Sequence, residues 1–387
     1  MNPFVFHAPT KILFGEALSP AIAEQIKEAG CSKIFLVTDA ILIETGILEP
    51  ILQVLQEEPS LDFVVFSEVP SDSDVSAVRE GTKKAKSFGA DAILSIGGGS
   101  VLDTAKVIDI CLSFEGEILD YQGLNYLPSK LLPHFAIPTT SGTGSEVSMV
   151  AMVKDASEGK KLLFGSRYLA PDVALLDPSL LVSLPPRLTA ATGLDAVTHA
   201  IEAFSAILSA SALTDSLCLE ALRLLFAYLP IASKTGTDLE ARANTLVAST
   251  MAGMAFTNTG VGVVHALAHA TGGQFGTHHG LTNSVFLTHG MNFNLDAIPD
   301  RYAQISRYLN FSQSVNDRAA AQALIEAVEK LCIELGLPRR LRDLGVPLLH
   351  TGGIKSLAEV ASTDPAIMFN PKEPSIENIV EIYERAY

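Results

Sequence analysis

Up to Pro178 the chain alternates short apolar, β-branched runs with stretches whose apolar residues recur every three or four positions. "KIFLVTD" (33–39) predicts a buried strand, and "AILIETGILEPILQVLQEE" after it a helix. "DFVVFSEV" predicts the next strand, "SAVREGTKKAKSFG" a helix stopped at Gly89, and "DAILSI" (91–96) a further strand. "HFAIPTT" (134–140) and "VALLDP" (173–178) continue the series. Strand and helix in strict alternation imply βαβ units on a parallel sheet. "SMVAMVKD" and "KKLLFGS", joined by "ASEG", read as a hairpin added to that sheet.

From "SLPPRLTAATG" onward the strand pattern fades and long helical periodicities take over: "LDAVTHAIEAFSAIL", "SALTDSLCLEALRLLFAYL", "LEARANTLVASTMAGMAF" and "AAAQALIEAVEKLCIELG". Pro185 and Pro186 mark the boundary, because the residue before a proline resists helix. The expected layout is an α/β domain over 1–184 and an all-helical domain over 185–387, with a cleft between them.

Composition narrows the possible partners. Hydrophobic residues at 48% against 18% charged describe a globular chain with a large core. A formal net charge of −16 repels nucleic acid and anionic membrane alike. No uninterrupted apolar run reaches the length of a membrane-spanning helix, and the first residues lack a signal-peptide pattern. Four scattered cysteines without a CxxC pair fit free thiols in a reducing compartment, so a cytoplasmic protein is expected.

Two loops carry phosphate-binding character. "SIGGGSVLDTAK" (95–106) follows a strand and opens a helix, so its glycines let a pyrophosphate approach the helix N-terminus. It is not GxGxxG. "PTTSGTGSE" (138–146) offers hydroxyls and accessible backbone after a second strand, where ligands of open α/β sheets sit. Asp39 ends the first strong strand; there a carboxylate can accept from ribose hydroxyls and repel a 2′-phosphate, or cap a helix.

Asp195 and His199 are four apart on an apolar helix, where they either bond each other or share a cation. The stretch 261–291 holds five of the nine histidines: His265, His269, His278, His279 and His289. His265 and His269 are again four apart, and His279 follows a glycine-containing loop. An Asp/His pair with two further histidines suits a divalent first-row ion such as Fe(II) or Zn(II). Spacing alone does not decide which histidines ligate.

The chain resembles the iron-containing (group III) alcohol dehydrogenases. The matching segments include "PTKILFG", "FLVTD", "GADAILSIGGGSVLDTAK", "IPTTSGTGSEVS", "LPPRLTAATGLDAVTHAIEAF", "HALAHATGG", "HHGLTNSVFLTHGMNFN" and "FNPKEPSIENIVEIYERAY". The resemblance implies a Rossmann-like α/β domain plus a helical domain, the dehydroquinate synthase-like architecture. It implies Asp195, His199, His265 and His279 as metal ligands and His269 as a proton-handling catalytic group. It implies that Gly98, Gly99, Ser100, Asp103, Thr139, Thr140, Thr143 and Lys161 surround the cofactor, with Leu180 near the adenine and Asp39 favouring NAD over NADP. His278 and His289 match no ligand position.

The implied reaction is hydride transfer between a small alcohol or carbonyl compound and the nicotinamide, in a homodimer or larger homo-oligomer. A zinc-dependent glycerol dehydrogenase-like enzyme and a hydroxyacid or maleylacetate-type reductase are the alternatives. Ser71 in "VPSDSD" (69–74), the paired histidines of "HHG" and Phe204 depart from the common pattern.

Overall fold

The computed structural model describes residues 3–156 and 159–387. By internal contacts the described chain divides into an α/β unit, His7–Thr140 with Gly144–Ser183, and a helical unit, Leu184–Tyr387 with residues 3–6 and Ser141–Thr143. Thr143, expected in the α/β half, therefore groups with the helices.

In the α/β unit the order is β1 (Lys11–Phe14), α1 (Ser19–Glu28), β2 (Lys33–Val37), α2 (Ala40–Glu44), α3 (Glu49–Glu57), β3 (Asp62–Phe66), α4 (Val75–Phe88), β4 (Ala92–Gly97) and α5 (Gly99–Ser113). There follow β5 (Gly123–Leu124), β6 (His134–Pro138), β7 (Val150–Asp155), β8 (Lys160–Gly165) and β9 (Val173–Leu176). Six strands form a parallel sheet in the order β1-β9-β6-β4-β2-β3. Its central strands are buried on both faces, which is why β2, β4 and β6 read as nearly continuous apolar runs, broken by Ser95 in β4.

Three features differ from expectation. The stretch after β2 is two helices, because Pro50 lacks an N–H and sits in the first turn of a new helix. Strand β1 was not anticipated; it is a four-residue edge strand and mostly exposed. The hairpin β7–β8 does form, but it pairs with β5 in a separate three-stranded sheet and does not extend the parallel one. Residues 157–158 of its connection lie outside the described residues.

The hairpin belongs to α5. Ala151, Val153, Leu162 and Phe164 form its buried face and share a core with Val101, Ala105 and Ile108 of α5. The buried ammonium of Lys106 on α5 donates to the Ser148 carbonyl (2.9 Å) and hydroxyl (3.0 Å) and to the Val150 carbonyl (2.9 Å). Helix α5 is thus enclosed on both sides, and burial pushes Lys106 down to about 8 despite the neighbouring carboxylates of Asp103 and Glu146.

The helical unit comprises α6 (Pro186–Ser205), α7 (Ala212–Lys234), α8 (Leu239–Thr259), α9 (Val263–Phe275), α10 (His279–Asn294), α11 (Pro299–Tyr308), α12 (Asp317–Glu334), α13 (Thr351–Ser362) and α14 (Ile376–Ala386). At the expected boundary, Pro185 and Pro186 are the N-cap and first residue of α6. Helix α7 is long and apolar enough to cross a membrane by length and composition. Polar residues punctuate it, so it holds no long uninterrupted apolar run. Its Asp215 takes a two-pronged bond from Arg301, and Cys218, Leu222, Leu225 and Leu229 are buried.

Candidate metal centre and cofactor loops

Helix α6 is buried along most of its length, so a polar residue on it needs a partner. Asp195, His199 and Glu202 fall at i, i+4 and i+7, one stripe of the helix. Helix α9 brings His265 and His269, and α10 opens on His279. Ligand atoms of Asp195, His265 and His279 all lie within 4.8 Å of one another. Asp195 Oδ1 is 3.4 Å from His279 Nε2 and 3.8 Å from His265 Nε2. His199 stands at the margin: its Nδ1 is 3.9 Å from Asp195 Oδ2 and its ring stacks on His265 with centroids 4.5 Å apart.

The donor chemistry fits a divalent ion. His199 Nδ1 is buried with no hydrogen-bond partner, an unusual state for an imidazole nitrogen. Burial pushes His199 down to about 4 against the pull of Asp195, so the ring is neutral and its lone pair available near pH 7. His265 Nδ1 donates to Glu202 Oε2 at 2.6 Å, which leaves Nε2 as the acceptor facing Asp195. Burial opposes a charge on His265, yet the adjacent Glu202 raises it overall.

His269 lies beside this group, its ring stacked on His279 at 5.3 Å. Its Nδ1 donates to Asp364 Oδ2 at 2.9 Å. Burial pushes Asp364 up, but His269 and the Ala366 N–H hold it below the usual carboxylate range. His278 is the N-cap residue of α10, and His289 lies ten residues beyond His279 on that helix.

Sequence reading missed three members. Asn283, one turn after His279, donates from Nδ2 to Asp195 Oδ1 at 2.7 Å and lies 3.2 and 3.4 Å from Nε2 of His279 and His265. Glu202 was visible as the third polar member of the α6 stripe. Asp364 lies 95 residues from His269 and gave no local sign.

In the α/β unit the expected cofactor residues end adjacent parallel strands. Asp39 follows β2, the glycine turn follows β4, Thr139 and Thr140 follow β6, and Leu180 follows β9. Gly98 is the N-cap of α5, and a Cβ on it would come within 3.3 Å of the Thr140 methyl, so the two loops touch. Ser100 Oγ donates to the Ser71 carbonyl at 2.7 Å, which brings the divergent "VPSDSD" segment to the same turn.

Asp39 Oδ1 accepts from Leu42 N at 2.9 Å and caps α2. Asp103 on α5 accepts from Ser145 Oγ in the 138–146 loop (2.6 Å) and from Met152 N on β7 (2.9 Å). Lys161 lies on β8, in the smaller sheet, and pairs with Asp72 at 3.0 Å.

A parallel α/β unit followed by a helical unit with a carboxylate–imidazole cluster defines the dehydroquinate synthase-like architecture. Residues 9–178 match the model for iron-containing alcohol dehydrogenase, and 189–387 that for the C-terminal part of the Fe-containing alcohol dehydrogenase family. The chain is 37% identical over 382 residues to the NAD-dependent methanol dehydrogenase of Bacillus methanolicus, covering 98% of this chain and 99% of that one. It is 33% identical to the lactaldehyde reductase of Escherichia coli, covering 97% of each. A crystal structure of 1,3-propanediol oxidoreductase superposes with a TM-score of 0.94 at 34% identity over the whole of both chains. The chain belongs to the iron-containing alcohol dehydrogenase family, oxidoreductases that act on alcohol groups.

Proposed function

We propose that this protein is a cytoplasmic, NAD-dependent and metal-dependent dehydrogenase of small alcohols, or reductase of the matching aldehydes or ketones. Fe(II) is the favoured ion and Zn(II) an acceptable one. The observation that carries this reading is the convergence of Asp195, His265 and His279, with the orphaned Nδ1 of His199 beside them. These four side chains would hold the ion. A divalent ion there supplies a positive centre that acidifies an alcohol hydroxyl and polarises a carbonyl.

The remaining roles fall to the chain. Gly98, Gly99 and Ser100 would seat the pyrophosphate on the N-terminus of α5. Thr139, Thr140, Thr143, Asp103 and Lys161 would line the same cofactor, and Leu180 would meet the adenine. Asp39 has one oxygen bonded to Leu42 N and would turn the other to the ribose, disfavouring NADP. His269, oriented through Nδ1 by Asp364, would take up or release the substrate proton at Nε2. A homodimer or larger homo-oligomer fits edge strand β1, which leaves Ile12 and Phe14 about half exposed.

The test is NADH oxidation by metal-stripped protein after adding Fe(II), Zn(II) or neither, without oxygen, across short aldehydes, hydroxyaldehydes and oxo-acids. Restoration by an ion on an aldehyde or ketone supports the reading. Equal turnover without metal overturns it.

A further inference from the structure

Glu202 is a buried carboxylate on the same α6 stripe as Asp195 and His199, and no metal-ligand role falls to it. Its two oxygens reach the start of α9. Oε1 accepts from Val264 N at 2.7 Å, and Oε2 accepts from His265 Nδ1 at 2.6 Å and from His265 N at 3.4 Å. Helix α9 begins after Gly262, which has no side chain to cap it. The caps come from elsewhere: Val263 N donates to Asn370 Oδ1 at 3.1 Å, and the next two N–H groups go to Glu202. A Cβ on Gly262 would lie 2.7 Å from Asn370 Oδ1 and 2.9 Å from Glu202 Oε1, so glycine is what lets both acceptors in. Asn370 is itself fixed by paired amide bonds with Asn294 (2.9 and 2.8 Å).

We propose that Glu202 is a positioning residue for the metal centre, one carboxylate that sets both the place of α9 and the tautomer of His265. An N–H on His265 Nδ1 pointed at a carboxylate obliges Nε2 to carry the lone pair. Because Glu202 stands on α6, His265 is registered against the helix that also bears Asp195 and His199. Ligands from two helices are therefore aligned before an ion arrives. This inference rests on reading His265 as a ligand.

The experiment compares Glu202→Gln and Asn370→Ala with the unaltered full chain, all stripped of metal. Zn(II) affinity is read by competition with a chromophoric chelator, and thermal midpoint without metal is read in parallel. Glu202→Gln keeps one acceptor for the helix end but sets an NH2 group or a weaker acceptor against Nδ1. It is expected to lose about 10- to 100-fold in Zn(II) affinity. Asn370→Ala touches the cap and not the ring, and is expected to lower the midpoint while losing no more than about threefold in affinity, less than the outer-shell range. Equal losses of affinity in the two variants, or none in Glu202→Gln, overturn the proposal.

Nitrogen NMR of the histidines in the unaltered metal-free protein gives an answer even if a variant fails to fold. In the neutral ring, a proton on Nδ1 supports the inference, and a proton on Nε2 with Nδ1 bare overturns it. His265→Ala separates the two levels. If it binds Zn(II) normally, the ligand reading fails; if it does not while Glu202→Gln does, this inference alone fails.

Discussion

Gly280 presses α10 so closely against α6 that a side-chain carbon there would lie 2.2 Å from the carbonyl oxygen of Ala191. The same carbon would lie 3.5 Å from Cβ of Asp195. The preceding residue is His279, so the approach of backbone to backbone is what brings that imidazole to its carboxylate. Gly280→Ala must push the helices apart. We expect a loss of about 1–3 kcal/mol in unfolding free energy, together with metal content well below that of the unaltered protein. Urea unfolding and metal analysis by mass spectrometry check both. Full metal occupancy in the variant would show that His279 tolerates the displacement.

Asp364 is bonded to His269 through Oδ2 and caps the turn at Ala366 through Oδ1. In Asp364→Asn the amide oxygen can keep the cap while the NH2 group faces His269 Nδ1, which favours the opposite tautomer. The expected result is a fall in kcat of about 100-fold with metal content unchanged, since no proposed ligand is touched. Parallel loss of metal would place Asp364 in the support of the ion instead.

Asp39→Asn keeps a side-chain acceptor for Leu42 N, so α2 stays capped, and removes the charge. The ratio of kcat/KM for NADH over NADPH should fall by about tenfold, the scale of one screened charge contact. An unchanged ratio would mean that cofactor choice is made elsewhere.

Burial pushes Asp109, on α5, up to about 8, against bonds from Leu132 N and Ser113 that pull it down. The folded state therefore holds a proton that the unfolded chain releases near pH 4. Stability from this group is present at low pH and drains away as pH rises from about 4 to 8. Asp109→Asn imitates the protonated acid and lacks that loss. Relative to the variant, the unaltered protein should weaken with pH by at most about 1.4 kcal/mol per unit. Urea titrations at intervals from pH 5 to 8 test this, and parallel curves would refute it.

How far the molecule can be read from its residues depends on the range of each contact. Helices α6, α7, α8 and α12 follow from 3.6-residue periodicity, and β2, β4 and β6 from nearly continuous apolar runs, because those patterns are local. Asp195, His199 and Glu202 are equally local, one stripe of one helix. Strand β1 has no such mark, being four residues long and solvent-facing on an edge. The hairpin's attachment to α5 depends on Lys106 reaching residues more than 40 positions away. Asp364 and Asn370 act across 95 and 107 positions, a distance at which a single sequence carries no pairing pattern.

The α6 stripe also fixes what this helix can survive. Successive residues are turned by about 100° around a helix axis. One residue inserted between Val197 and Thr198 would swing His199 and Glu202 off the face that Asp195 occupies, uncoupling two candidate ligands and the clamp on α9 at a stroke. Helix α6 is buried along most of its length, so a substitution anywhere on it must also fit its neighbours. Its length between Asp195 and Glu202 cannot drift, so insertions and deletions in related chains should fall outside these eight positions.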